Sequence, residues 1–205
     1  MITLDQIRDL YIDNDSSHSF DHVLRVTSLA IRIAEQEGAD TEIVRLAALL
    51  HDIAAQSHRE NHQLEGSLQA KQILAKGGYD PKTIQAVQHC IESHRFRKPE
   101  NKPQTLEAKC LYDADKLDAI GAIGVARVFA FGGKHNQPLW GEVSKSYLEG
   151  KDTGESHSAN HEYQVKLKKI RDRLLTDTGK QIAADRHNYM TSFVERLNQE
   201  ISGAK

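Results

Sequence analysis

The sequence predicts an all-α protein, and three observations carry that expectation. No stretch of any length alternates apolar and polar residues as a half-buried strand would. The chain has only four prolines. Its two most apolar runs, near residues 42–55 and 106–131, are long enough for helices and too long for single strands. With 205 residues, 39% of them hydrophobic and 27% charged, the chain can bury a real core. It shows no repeat, low-complexity tract or clear linker, so a single domain over residues 1–205 is expected. The formal net charge of -2 gives no general pull toward nucleic acid or an anionic membrane surface. The first ten residues read as an ordinary amphipathic start rather than a signal peptide. No apolar run approaches the roughly 18 residues of a membrane span. Cys90 and Cys110 sit inside helical patterns and read as reduced thiols. A cytoplasmic protein without a membrane or nucleic-acid partner follows.

Taken in order, residues 2–12 form a short helix on Ile2, Ile7, Leu10 and Tyr11. Ser19 is a candidate N-cap for a helix reaching Glu37, with Val23, Val26, Ala30 and Ile33 on one stripe and Gly38 as its C-cap. His22 lies in the first turn of that helix, where the positive dipole end disfavours protonation and favours the neutral, ligand form. The run 42–55 follows, apolar at nearly every position, and a helix of that composition is buried nearly all round. His51 and Asp52 lie near its end. A buried imidazole beside a buried carboxylate must be paired, hydrogen-bonded or metal-bound. Taken alone, the pair reads equally well as a core His beside a capping Asp.

His58 and His62, in the polar loop after that run, read as surface or pocket-rim residues. Helices are expected at about 64–76 and 81–94, the second started by Asp80-Pro81. The basic segment 95–103, broken by two prolines, reads as a solvated connection. Thr105 caps a helix running from Leu106 to about Phe131, on which Gly121 and Gly124 share a face and suggest a close helix crossing. Residues 132–158 form the longest irregular stretch, and a loop this long is usually functional or mobile. Amphipathic helices at about 160–176 and 179–201 close the chain.

His22, His51, Asp52 and Asp115 stand out because they lie on three helices of high apolar content. Two imidazoles and two carboxylates suit Mn, Fe, Co, Ni or Zn, whereas Mg prefers an all-oxygen shell. The segments His18-Ser-Phe-Asp-His22-Val, Leu49-Leu-His51-Asp52-Ile and Asp113-Ala-Asp115-Lys-Leu-Asp118-Ala resemble the successive motifs of the HD-domain metal-dependent phosphohydrolases. The resemblance covers about residues 15–130. The run from Asp113 through Arg127, with the C-terminal helices, is similar to small stand-alone bacterial members. It implies an HD-domain helical bundle with additional C-terminal helices at about 160–201. It also implies His22, His51, Asp52 and Asp115 as metal ligands in a cleft between helices.

Two family patterns are missing. The Glu-Asp pair that follows His-Asp in alarmone hydrolases is absent, and so is the Gly-Tyr-Pro motif of cyclic-di-nucleotide phosphodiesterases. His89 and His94 fall where two-metal members carry extra histidines, but their spacing does not put them on one helical face. One divalent ion is therefore expected rather than two: Mn, Co, Ni, Fe or Zn, with Mg as the weaker candidate.

What the resemblance implies for function is a metal-dependent hydrolase of a phosphorylated small molecule, with a metal-activated water as the attacking group. The surrounding Lys, Arg and His residues favour a (deoxy)nucleoside triphosphate cleaved to monophosphate and pyrophosphate. A nucleoside monophosphate phosphatase is the alternative within the class. A metal- and nucleotide-binding sensor without turnover is the rival outside it. Beyond Asp52, the candidate acid/base residues are His94, Glu92 and Asp118. Lys116, Arg127, His94 and Lys134 are the candidate phosphate contacts, and Arg127 is also placed to pair with Asp118. A homodimer is compatible with the chain.

Overall fold

A computed structural model describes residues 3–11, 20–55, 62–95 and 101–205. The Ser19 cap, His58 and most of the basic segment after Arg95 lie outside them. Among the described residues there are helices and no strands, so the chain is all-α as the sequence predicts. The α-helices are α1 (Leu4–Arg8), α2 (Phe20–Glu37), α3 (Thr41–Leu50), α4 (His62–Lys76), α5 (Pro81–Ser93), α6 (Leu106–Leu117), α7 (Gly121–Lys134), α8 (Lys145–Leu148), α9 (Ala159–Val165) and α10 (Asp177–Ile201). No helix among the described residues is long and apolar enough to cross a membrane.

The chain divides into two compact units. One comprises residues up to Asp115 together with Leu175–Gly179, and the other comprises Lys116–Leu174 and Lys180–Lys205. In the first unit α2 and α5 both pack on α3, and α4 packs on α5. The reason is the composition of α3: Val44 and every residue from Leu46 to Leu50 are buried, so neighbours must cover it on several sides. Local signals set the ends of these helices. Asp80 accepts from the Lys82 and Thr83 amides, with Pro81 at the first helical position. Gly38 (φ 76°) and Gly78 (φ 77°) turn the chain after α2 and α4, where the Ala39 and Tyr79 amides close onto the Ala34 and Leu74 carbonyls. Asp113 is fully buried and accepts from the Leu175 and Thr176 amides and the Thr176 hydroxyl, which fixes the segment preceding α10.

In the second unit, α7 packs on α9, and Phe129 meets Phe193 of α10 edge to face at 6.0 Å. Three elements from Leu106 onward differ from their sequence expectation. The helix expected over 106–131 is two helices, broken at Asp118–Ile120. Gly121 adopts φ 76°, and a side chain on Gly124 would run into the Ala119 carbonyl. These glycines make a sharp corner rather than a helix crossing. The corner's open carbonyls are taken by arginines: Arg127 Nη1 donates to Asp118 O (3.2 Å) and Arg186 Nη1 to Leu117 O (2.6 Å). The irregular stretch begins after Lys134 rather than at residue 132, and contains the single turn α8. The helix expected near 160–176 tightens after α9 into a 3₁₀ segment, Leu167–Arg173.

Candidate metal centre

The first unit gathers six metal-competent side chains, each delivered by a helix or its end. His22 lies in the first turn of α2, His62 is the first residue of α4, and Asp115 is near the end of α6. His51 and His94 are the C-cap residues of α3 and α5. Asp52 follows in the turn after α3, which ends at Leu50 instead of running to residue 55. An apolar run does not encode its own last turn, so the sequence placed this pair inside a helix that the structure terminates. His22, His51, Asp52, His62 and His94 are all at most 3% exposed, and the Asp115 side chain is 14% exposed.

The two C-cap histidines are oriented in the same way. His51 Nδ1 lies 2.8 Å from the Ala48 carbonyl and His94 Nδ1 lies 2.6 Å from the Ile91 carbonyl, each three residues back. A carbonyl only accepts, so Nδ1 carries the hydrogen and, in the neutral ring, Nε2 carries the lone pair. The bond also satisfies a carbonyl that the helix end would leave open. Burial lowers the His51 pKa to about 4, against an opposing pull from Asp52, so its ring is neutral at pH 7. Burial would raise the Asp52 carboxyl, but His51 and His94 outweigh it and hold the group well below the usual carboxylate range. A neutral His51 imidazole and an ionised Asp52 carboxylate are the states in which these two side chains bind a metal.

The distances fit ligands of a common ion. His22 Nε2 and His51 Nε2 approach to 3.3 Å, Asp52 Oδ2 lies 3.4 Å from His51 Nε2, and His22 Nε2 lies 3.5 Å from Asp115 Oδ1. Ligands held about 2.1 Å from one ion lie roughly 3–3.4 Å from one another. Asp52 Oδ1, the other carboxylate oxygen, is buried and accepts no hydrogen bond. It faces His94 Nε2 at 3.5 Å and His62 Nε2 at 3.7 Å. Two groups able to hold an ion therefore meet at Asp52 among the described residues: His22–His51–Asp52 and Asp52–His62–His94. A buried carboxylate oxygen without a donor, ringed by nitrogen ligands, is what a cation would satisfy.

His62 corrects the sequence reading of a rim residue, since it is 3% exposed and inside the cluster. The signal was present: His62, Gly66, Ala70 and Leu74 recur every fourth residue, and all four are buried. Tyr11 was also missed as anything but an apolar position. Its buried hydroxyl donates to the Leu49 carbonyl (3.0 Å), two residues before His51, and burial with the nearby Asp52 charge raises its pKa well above the usual value. His89 stands outside the cluster, where its Nε2 accepts from the Gln104 amide (3.1 Å). Glu92 accepts from the Ser67 hydroxyl (2.7 Å). Lys116, Asp118, Arg127 and Lys134 belong to the second unit. There Asp118 is 2% exposed and its Oδ2 takes a 2.6 Å ion pair from Arg127, Lys116 is half-buried, and Lys134 is exposed in the last turn of α7.

Residues 19–120, which carry the cluster described above, match the HD domain family. The chain is an HD-domain protein. It is 34% identical over 200 residues to YpgQ of Bacillus subtilis (strain 168), a match covering 96% of this chain and 91% of the relative. The crystal structure of B. subtilis YpgQ in complex with ADP superposes with a TM-score of 0.77 at 32% identity, covering 99% of this chain and 100% of that one. An HD-superfamily hydrolase from Bacillus thuringiensis gives a TM-score of 0.74 at 29% identity, over 96% of this chain and 93% of that one. The matched span contains His22, the His51-Asp52 pair and Asp115, and the solved structures that the chain resembles include HD-superfamily hydrolases.

Proposed function

We propose that this HD-domain protein is a divalent-metal-dependent phosphohydrolase that cleaves (deoxy)nucleoside triphosphates to monophosphate and pyrophosphate. The convergence of His22 Nε2, His51 Nε2, Asp52 Oδ2 and Asp115 Oδ1 in a buried pocket carries the reading. These four residues would hold one ion, and their mixed nitrogen and oxygen donors suit manganese, cobalt, nickel, iron or zinc better than magnesium. An ion bound there supplies a water of lowered pKa and polarises a phosphoryl oxygen. That YpgQ crystallises with ADP supports a nucleotide as the substrate class.

The chain's own residues account for the remaining work. Asp52 stays ionised and shares its two oxygens between the two histidine groups. His94, fixed through its Nδ1–H on Ile91 O, directs a lone pair toward the site and is assigned the proton transfer. Lys116, half-buried and next to Asp115 in the chain, is assigned to a substrate phosphate. Arg127 is held by Asp118, and that pair is assigned to keeping the end of α6 in place rather than to the chemistry.

The test is a nucleotide panel assayed with Mn, Co, Ni, Mg and Zn, with pyrophosphate resolved from orthophosphate. Triphosphate consumption that yields monophosphate and pyrophosphate is expected, fastest with manganese. Orthophosphate as product would move the protein to the monophosphate phosphatases. Tight nucleotide binding with no turnover under any metal would make it a sensor.

A further inference from the structure

Counted by donors alone, the Asp52–His62–His94 group is as complete as the His22–His51–Asp52 group. Each has three buried residues whose ligand atoms lie within 4.8 Å of one another. The two groups differ in their neighbours: the first has the Asp115 carboxylate beside His22, and the second has a guanidinium. Arg95 Nη1 lies 3.1 Å from His62 Nε2. A guanidinium only donates, so this contact requires the lone pair of His62 Nε2, the same lone pair that a metal ion would need. Arg95 keeps its proton at any pH the fold survives, so it cannot itself become a ligand. It directly follows His94, whose ring is anchored on the Ile91 carbonyl, and its guanidinium reaches His62 at the start of α4.

We propose that Arg95 takes the place of a second metal ion and holds this centre to one. The guanidinium occupies the His62 lone pair, and its fixed positive charge repels a dication from the neighbouring position between His62 and His94. It also replaces an ion, which would need a full coordination shell, with N–H donors suited to an oxyanion. The inference rests on the metal-dependent reading above, and its test separates the two.

The full-length protein is loaded with manganese, and metal per chain is measured by elemental analysis together with the electron paramagnetic resonance spectrum. The wild type is expected to hold one manganese with an isolated-ion spectrum. Arg95→Leu and Arg95→Gln, checked for native helicity, are expected to hold two, with a spectrum broadened by exchange across the shared Asp52 carboxylate. His62→Gln added to either variant should return the count to one. Arg95→Lys, which keeps a cation, should stay at one. Two ions in the wild type, or one in both folded neutral variants, overturns the role of Arg95 while leaving the metal centre standing. A wild type that binds no manganese overturns the metal centre and this inference with it.

Discussion

Among the described residues there are two histidine-rich clusters, and they differ in where the ring nitrogens point. In the first turn of α9, His161 is 1% exposed, with Nδ1 2.8 Å from the Ser158 hydroxyl and Nε2 3.2 Å from Glu155. The Ser144 hydroxyl and amide also donate to Glu155 and hold its pKa to about 2. His157 bonds through Nδ1 to the Tyr147 hydroxyl at 2.8 Å. Both nitrogens of His161 are thereby spent on neighbours close in sequence, and the cluster fastens an irregular segment to α9. Around Asp52 the arrangement is reversed: His51 and His94 spend Nδ1 on their own helix ends, and Nε2 faces His22 and Asp52 in turn. A histidine becomes a candidate ligand when local structure ties down one nitrogen and leaves the other to long-range partners.

The largest expected effect breaks this comparison at its centre. His51→Ala and Asp52→Ala should each lose most of the bound metal and nearly all activity while far-UV circular dichroism keeps the native helicity, because truncation opens a shell built from one turn. Full metal occupancy in both variants would sink the ligand assignment. His161→Ala, removing an equally buried imidazole, should leave metal content unchanged.

The next effect is a dependence on pH. An unfolded His51 titrates near 6.5, and burial lowers this to about 4 in the fold. Between those values the unfolded chain binds a proton that the folded chain refuses. Stability of the metal-free protein therefore rises with pH across that window and is lost as pH falls from 6.5 toward 4, by on the order of 3 kcal/mol. Asp52, held below its usual range, pushes the same way under more acid conditions. Urea midpoints at a series of pH values measure the slope, which should shrink in His51→Ala. An unchanged slope would locate the sensitivity elsewhere.

A smaller effect belongs to the corner between α6 and α7. The methyl group of Gly124→Ala would meet the Ala119 carbonyl, a backbone atom that cannot swing aside. Thermal or chemical unfolding should show a loss of about 1–3 kcal/mol, with metal content retained. The smallest expected effect is His161→Ala, where loss of its bonds to Ser158 and Glu155 should cost about 1 kcal/mol. Proteolysis in the segment 149–158 should become faster. If His161→Ala instead abolished activity, the second cluster would have a role beyond fastening.

Much of the fold was legible because its signals are local. Asp80-Pro81, Thr105 with its bond to the Ala108 amide, and Gly38 each set a helix end within three or four residues. The apolar density of α3 announced its burial. The 106–131 helix misled because a helical period continues through Gly121 and Gly124, and only the close approach of Ala119 and the positive φ at Gly121 reveal a corner. At the site, His22, His51, Asp52, Asp115 and His94 could be singled out as polar groups on apolar helices. His62 follows a polar stretch, and Arg95 opens a basic one, so composition assigned both to the surface.

By itself the sequence determined the helix class and several caps, because hydrophobic period and capping are written within a few neighbouring residues. The tertiary structure decided which nitrogen of each histidine faces the others, that Asp52 divides its two oxygens between two groups, and that Arg95 meets His62 33 residues away. Those outcomes depend on residues that are distant along the chain and become neighbours only when α2, α4 and α5 close over the end of α3.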